Sequence, residues 1–172
     1  MNDPWCSLGA VEQAVRIARS HRHWLGRDLL PGVSDPQALA AGLAAAPFVL
    51  VSHGTESDPV LNYGNRTALA LWELSWPEFT RTPSRLTAEP VAREERARLL
   101  EEVTRNGYIA NYAGVRISST GRRFRIHQAL VWNLLDDAGA HAGQAAMFGR
   151  WDFLDVASGA PDGGPSLSPL HR

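Results

Sequence analysis

Basic side chains alternate with apolar ones in the segment VRISSTGRRFRIHQ, residues 115–128. Alternate side chains of a strand share a face, so the segment predicts a hairpin with one apolar and one cationic face. The cations either bind an anionic ligand or an acidic partner, or form a solvated face paired within the chain. A nucleic-acid partner is not expected, because the formal net charge is −1. The candidate anion or partner surface consists of Arg116, Arg123, Arg125 and His127.

The turn of this hairpin decides which side chains share a face. A two-residue loop at Thr120–Gly121 places Ile117 opposite Phe124 on the apolar face. The same loop places Arg116 opposite Arg125 on the cationic face. Like charges directly opposite each other are destabilising. The prediction therefore requires an acidic residue, an anionic ligand or an acidic partner between the two arginines.

Polar side chains also fall on the apolar face of the predicted sheet. Strand alternation places Asn111, Gln128 and Trp132 inside, with Met147 opposite Gln128 on the next strand. A buried amide must find hydrogen-bond partners. These residues either bond to the backbone of a covering helix or line a mostly apolar pocket with a few polar groups, which is typical of a small-molecule site. Both interpretations stay open.

Further candidates lie in the loop RTPSRLTAEP, residues 81–90, and where strands end. Arg85 can bind a carboxylate through its planar guanidinium, or Glu89 can pair with Arg85 or Arg93 and order the loop. His53 ends the first predicted strand as a ligand contact or as a hydrogen-bonded terminus. The candidate ligand-binding residues are His53, Asn62, Tyr63, Trp72, Arg85, Glu89, Asn111, Gln128, Trp132 and Met147.

Composition and motifs exclude several kinds of chemistry. All 17 residues counted as Lys+Arg are arginine, so a Schiff-base lysine, a pyridoxal-phosphate anchor and a P-loop lysine are absent. Cys6 is the single cysteine, which excludes an internal disulfide and any CxxC motif. No GxSxG, HExxH or GxGxxG motif occurs, and no spacing predicts a metal site. A cavity-based acid–base enzyme using His53, Glu89 or Arg85 stays as an alternative.

The elements that must position these residues follow from periodicity and capping signals. Asp35 is expected to cap a helix, and Ser75 with Glu78 forms a capping-box pattern. Short helices inserted after the second of five strands predict an α+β domain with a five-stranded antiparallel sheet and N-terminal helices. The predicted helices span 8–25, 36–46, 65–76 and 93–105, and the strands span 47–53, 60–63, 108–118, 122–135 and 141–148.

The sequence also resembles a known family. VLNYGNRTALALWELSWPEF resembles the pattern of PAS domains, in which a strand precedes a helix and an aromatic-Pro/Glu segment. SHGTESDPVLNYGN, RTPSRLTAEP, GVRISSTGRRFRI, VWNL and GQAAMF are similar to the MEKHLA domain family, over about residues 7–153. That family is PAS-like and occurs in plant homeodomain-zipper transcription factors and as stand-alone bacterial proteins, the type to which this chain is most similar.

The resemblance implies a PAS-like sensory or regulatory domain. Such domains bind a small ligand or cofactor in an internal cavity, dimerise, or signal by protein association, and a protein-interaction module with a filled core is the alternative. Flavin photosensors carry a reactive cysteine where residues 81–107 have none, which excludes a flavin–cysteinyl adduct. Non-covalent flavin and haem stay open, although no residue spacing favours them. Without an effector segment, output is expected through a protein partner, including a homodimer, or through ligand release.

The implied organisation has three parts. Residues 1–46 form an N-terminal helical cap, 47–153 the PAS-like MEKHLA domain, and 154–172 a disordered tail rich in Gly, Pro and Ser. The first ten residues lack the basic and apolar regions of a signal peptide, and no apolar run approaches the ~20 residues of a membrane helix. A cytoplasmic protein without a membrane partner is therefore expected.

Overall fold

A computed structural model describes residues 3–154 of the protein. The predicted tail, apart from its first residue, lies outside the described residues. The described chain has five helices and six strands, with short 3-10 turns at Pro4–Cys6 and Ser84–Thr87, and the five predicted strands occur in the predicted order. The helices are α1 (Leu8–Leu25), α2 (Pro36–Ala44), α3 (Arg66–Trp72), α4 (Trp76–Phe79) and α5 (Pro90–Asn106). The strands are β1 (Val49–His53), β2 (Leu61–Gly64), β3 (Tyr108–Ile117), β4 (Arg123–Leu135), β5 (His141–Phe148) and β6 (Arg150–Phe153).

Local capping explains where the helices begin. The side chain of Asp35 accepts a hydrogen bond of 2.9 Å from the Ala38 amide at the start of α2, as predicted. Ser75 and Glu78 form the predicted reciprocal capping box at α4. Asn65 starts α3 and is fully buried, where its amide also donates to Phe48 O at 2.9 Å. Asn65 therefore fixes α3 against the loop before β1.

The strands form one antiparallel sheet in the order β2-β1-β5-β4-β3. The predicted α+β architecture is present, and β6 adds a sixth short strand beside the first half of β4. Helices cover both faces. α1 and α2 pack on one face with Leu130, Trp132 and Leu134 of β4, whereas α3, α4 and α5 pack on the opposite face. The sheet is therefore buried on two sides, and the interior has two layers.

The β3–β4 hairpin differs from the predicted register. Its loop holds three residues, 119–121, because the Ser118 amide donates to Arg122 O at 2.9 Å. Gly121 takes the left-handed conformation (φ 88°) that this loop type requires. Ile117 consequently pairs with Arg123, and Arg116 pairs with Phe124 instead of Arg125. The slip of one residue turns Arg116 from the predicted outer face to the interior.

Further along the hairpin, two bulges change which side chains face inward, in contrast to the prediction. Asn111 and Gln128 have positive φ values of 61° and 51° and lie at register shifts between β3 and β4. The extra residue in each strand reverses the alternation, so both side chains are exposed rather than inside. For the same reason Trp132 faces α1, not the face of Phe124. Met147 lies opposite Leu130, not Gln128.

Candidate functional site

A small cavity of about 60 Å³ lies between the sheet and α5. Its walls are mostly apolar and come from β1, β3, β4, β5, α3, α4 and α5. A cavity needs at least roughly 10–15 Å³ to hold one water, whose share of liquid volume is about 30 Å³, so this space holds only a few waters. The apolar lining includes Val51, Leu61, Trp72, Phe79, Leu99, Leu100, Ile126, Ala129, Val131 and Phe148, and the polar lining includes Ser52, His53, Thr87, Arg96, Tyr112, Arg116 and Gln144.

Two buried polar atoms on the wall of this cavity are unsatisfied. Nε2 of His53 and the indole N–H of Trp72 have no hydrogen-bond partner among the described residues. Nδ1 of His53 lies 3.0 Å from Gly54 O, so the neutral ring donates there and keeps Nε2 as an acceptor. Burial, and secondarily the charge of Arg96, lower the pKa of His53. Buried polar atoms without partners are rare, and a bound ligand or water is among the explanations for them.

Two arginines meet at the cavity from opposite sides. Arg116 of β3 is only 7% exposed, and its guanidinium donates to Val115 O at 2.9 Å and to the Tyr112 hydroxyl at 3.3 Å. Arg96 of α5 is partly buried. Burial, together with the positive charge of Arg116, lowers the pKa of Arg96 to about 10. This part of the wall is therefore strongly cationic although the rest is apolar.

An outer cleft of about 590 Å³ adjoins the cavity. The loop after β1, the turn around Arg85, the outer side of α5 and His141 line this cleft. Four side chains line both spaces and form the partition between them: His53, Arg96, Leu100 and Gln144. A molecule in the outer cleft therefore meets the same arginine and histidine that face the inner cavity.

Buried amides attach the C-terminal half of α5 to the sheet. Asn133 of β4 donates to Val103 O at 2.9 Å, and Gln144 of β5 donates to Leu100 O at 3.0 Å. The two amides also bond to each other at 3.1 Å across neighbouring strands. Sequence reasoning missed both residues, although it anticipated amides that bond to helix backbone at other positions. They fix the helix that closes the cavity.

The structure brings together only part of the predicted ligand-binding set. His53 and Trp72 line the cavity, and Arg116 joins them from the predicted outer surface. Asn62 is exposed and accepts from Ser52 at 2.6 Å. Tyr63 is buried beside Trp76 on the face of α1. Trp132 and Met147 also lie on the face covered by α1, whereas Asn111 and Gln128 are exposed on the outside.

The loop and hairpin cations have partners within the chain. Arg85 binds Asp58 at 3.1 Å and lines the outer cleft, not the inner cavity. Glu89 pairs with Arg123 at 3.0 Å rather than with Arg85 or Arg93. His127 lies 2.8 Å from Asp152 of β6, whereas the exposed Arg125 pairs by backbone with the same Asp152. Of the candidate anion or partner surface, Arg123, Arg125 and His127 thus form the solvated outer face of the hairpin.

The sequence carries a signal for Arg96. Leu99, Leu100 and Val103 recur at helical spacing and form the inner face of α5. Arg96 precedes Leu99 by three residues and Leu100 by four, so it falls on the same helical stripe. Tyr112 gave no such signal, because the bulge at Asn111 sets its direction.

Residues 3–154 lack two further kinds of feature. No three or more His, Cys, Asp or Glu side chains there converge as metal ligands would. Within the same range, none of the helices has both the length and the apolarity needed to cross a bilayer.

Comparison with known proteins identifies the family of this chain. The family model described as the MEKHLA domain matches residues 11–153. The chain belongs to the MEKHLA domain family. The homeobox-leucine zipper protein ATHB-14 of Arabidopsis thaliana is 29% identical over 144 residues, which are 80% of this chain. The chain spans only 17% of that relative's length.

Solved structures show the PAS-like fold. The PAS domain of a protein from Colwellia psychrerythraea superimposes with a TM-score of 0.57 at 12% identity, covering 64% of this chain and 92% of that one. The light-state dimer of the fungal blue-light photoreceptor Vivid gives a TM-score of 0.54 at 12% identity, covering 77% and 90%. The PAS-like α+β fold that the sequence predicts is therefore confirmed.

Proposed function

We propose that this MEKHLA domain is a sensory domain that binds a small organic ligand in the cavity under α5 and signals by protein association. The observation that carries the proposal is an apolar cavity whose wall holds two unsatisfied polar atoms, on His53 and Trp72. A few polar groups in an apolar space are typical of a small-molecule site. The PAS-like fold supports the same function, because the Vivid photoreceptor with this fold senses light.

The size of the cavity favours a ligand much smaller than a flavin or a haem. Typical pockets for drug-sized molecules have about 300–1,000 Å³, whereas this one has about 60 Å³. A non-covalent flavin or haem would require α5 to move away from the sheet. A compact metabolite fits without that displacement.

The proposal is tested by filling the cavity. Ala129 lines the cavity and is fully buried, so Ala129→Leu places three additional carbon atoms in the ligand space. Ala70→Leu on the exposed side of α3 is the matched control. Native mass spectrometry of purified protein, and thermal shifts with a panel of small acids, amides, alcohols and amines, measure retention and binding.

We expect at least one compound to be retained or to raise the Tm of the wild type and the Ala70→Leu variant, with both effects lost in Ala129→Leu. A wild type that retains nothing and responds to no compound contradicts the proposal. That result favours the alternative, a protein-interaction module. Turnover of a bound compound that is lost in His53→Ala with the fold intact would instead favour the acid–base enzyme.

Signalling by association includes a homodimer, with residues 1–46 acting as a helical cap on the second sheet face. Trp5 donates to Gly64 O and Trp24 to Asn133 O, both at 2.9 Å, so these indoles anchor the N-terminal segment to its own chain. Dimerisation must then use the outer side of α1, where Leu8 is 74% exposed. Analytical ultracentrifugation of wild type and Leu8→Glu, with and without ligand, tests this. A monomer under all conditions contradicts it.

A further inference from the structure

Arg96 and Arg116 line the cavity without a carboxylate partner, and Arg116 is the only buried arginine among residues 3–154. Six other arginines of the described chain lie within ion-pair distance of a carboxylate. Among residues 3–154, no carboxylate lies within ion-pair distance of Arg96 or Arg116, although both line the cavity. A buried charge without a counter-charge is costly. An anion in the cavity would remove that cost for two charges at once.

The nearby groups do not substitute for an anion. The partners of Arg116 are a backbone carbonyl, Val115 O, and the hydroxyl of Tyr112, whose ring centroid lies 5.5 Å from the guanidinium carbon. All three contacts involve neutral groups. The Trp72 indole on the same cavity wall adds an N–H without an acceptor. The residues lining the inner cavity include no Asp and no Glu.

The remaining wall limits the shape of the anion. Leu61, Phe79, Ile126 and Phe148 provide no hydrogen-bonding side-chain groups. A phosphate has oxygens on all sides, and those turned toward this wall would lose their hydrogen bonds to water. A carboxylate has oxygens at one end only. A space of about 60 Å³ also limits the molecule to a few non-hydrogen atoms.

We propose that the cavity binds a short-chain monocarboxylate whose carboxylate lies between Arg96 and Arg116 and whose hydrocarbon part contacts the apolar wall. Arginine binds carboxylates through two parallel N–H donors, and two arginines satisfy both oxygens. This inference rests on the proposed function, because it identifies the ligand class of the same cavity. It assigns the arginines a role that neither the family match nor the fold provides.

The test measures binding of acetate, propionate and butyrate to the full chain by isothermal titration calorimetry. Butyramide has the size of butyrate without its charge, and inorganic phosphate is an anion without a hydrocarbon part. Arg96→Met and Arg116→Met remove one charge each while keeping an unbranched apolar side chain. Arg98→Met on the exposed side of α5 and Arg125→Met on the outer face of the hairpin are the matched controls.

We expect propionate or butyrate to bind, and Arg96→Met and Arg116→Met to weaken the binding by about 10- to 100-fold, as for loss of hydrogen bonds to a charged group. Both control variants should bind within about twofold of the wild type, since exposed charges have small effects. Because Arg96 is only partly buried, its variant keeps the test valid if Arg116→Met does not fold, and circular dichroism monitors folding.

Three results separate this inference from the proposed function. Equal binding of butyramide and butyrate overturns the inference that the ligand is an anion, but leaves the proposed small-molecule cavity. Preferred binding of phosphate overturns the monocarboxylate and shows a different anion site. Failure of every probe, with no compound retained by the wild type and no difference in Ala129→Leu, overturns the ligand class and the proposed function together.

Discussion

Replacing Arg116 with methionine should stabilise the ligand-free protein. Exchanging buried ionic groups for apolar side chains of similar size often stabilises a protein by about 1–4 kcal/mol. The exchange also removes two hydrogen bonds, to Val115 O and to the Tyr112 hydroxyl, each contributing about 1 kcal/mol. Because Arg116 is only 7% exposed and lies near Arg96, we expect the first effect to be larger. The net gain is then up to about 2 kcal/mol.

The assay is thermal unfolding of dialysed, anion-poor protein. In a chain of this size 1 kcal/mol shifts the Tm by about 2–4 °C, so Arg116→Met should melt up to several degrees above the wild type. Arg125→Met has an exposed side chain and should change the Tm by less than about 1 °C. With butyrate in large excess the difference should shrink or reverse, since the roughly 10- to 100-fold weaker binding of the variant gives it about 1.4–2.7 kcal/mol less ligand stabilisation than the wild type. A lower Tm for Arg116→Met without ligand refutes the reasoning about the unpaired charge.

Three other predictions concern groups around the site. Hydrogen bonds from Ser118 and then Thr120 lower the pKa of Glu73 in the folded protein. The contribution of Glu73 to folding stability is therefore present above its unfolded pKa and is lost as pH falls through its folded pKa. The Tm difference between wild type and Glu73→Ala should be largest near pH 6 and shrink toward pH 3. Burial lowers the pKa of His53, so the unfolded chain binds a proton at this residue first, and the free energy of unfolding falls as pH drops below about 6.5. In urea unfolding, His53→Phe should lose less of this free energy between pH 7 and 5 than the wild type. An equal loss in both proteins would contradict this. Asn133→Ala leaves the buried Val103 carbonyl without its side-chain donor, which should cost about 1–3 kcal/mol and speed hydrogen exchange in the last turns of α5, whereas exchange in α1 should not change.

The sequence was sufficient for the order of the elements because their signals are local. The capping residues Asp35 and Ser75, the stripe of Leu99 and Val103, and the motif matches depend on neighbours within one turn or one strand. The short β6 was not predicted, because residues 150–153 have no clear alternation and pair only with the start of β4. Their strand character comes from tertiary pairing.

The site was harder to predict, since one residue of slip reverses every side chain of a strand. A three-residue loop at 119–121, in place of two, turned Arg116 inward. Bulges at Asn111 and Gln128 moved both candidates out and brought Tyr112 and Ala129 to the cavity. The loop is held by contacts with Glu73, which is distant in sequence, and no local pattern encodes them.

The unequal attachment of α5 has a mechanical consequence. Its C-terminal half is held by buried Leu99 and Val103 and by two amides of the sheet, whereas none of the described side chains from 92 to 98 is fully buried. Segments with few buried contacts open at the lowest free energy. The N-terminal half, which carries Arg96 and is attached at its start by the Glu89–Arg123 ion pair, should therefore open more easily than the C-terminal half. An anion bound as proposed would add a contact between Arg96 and the sheet, and so would hold this half of the helix more firmly in place.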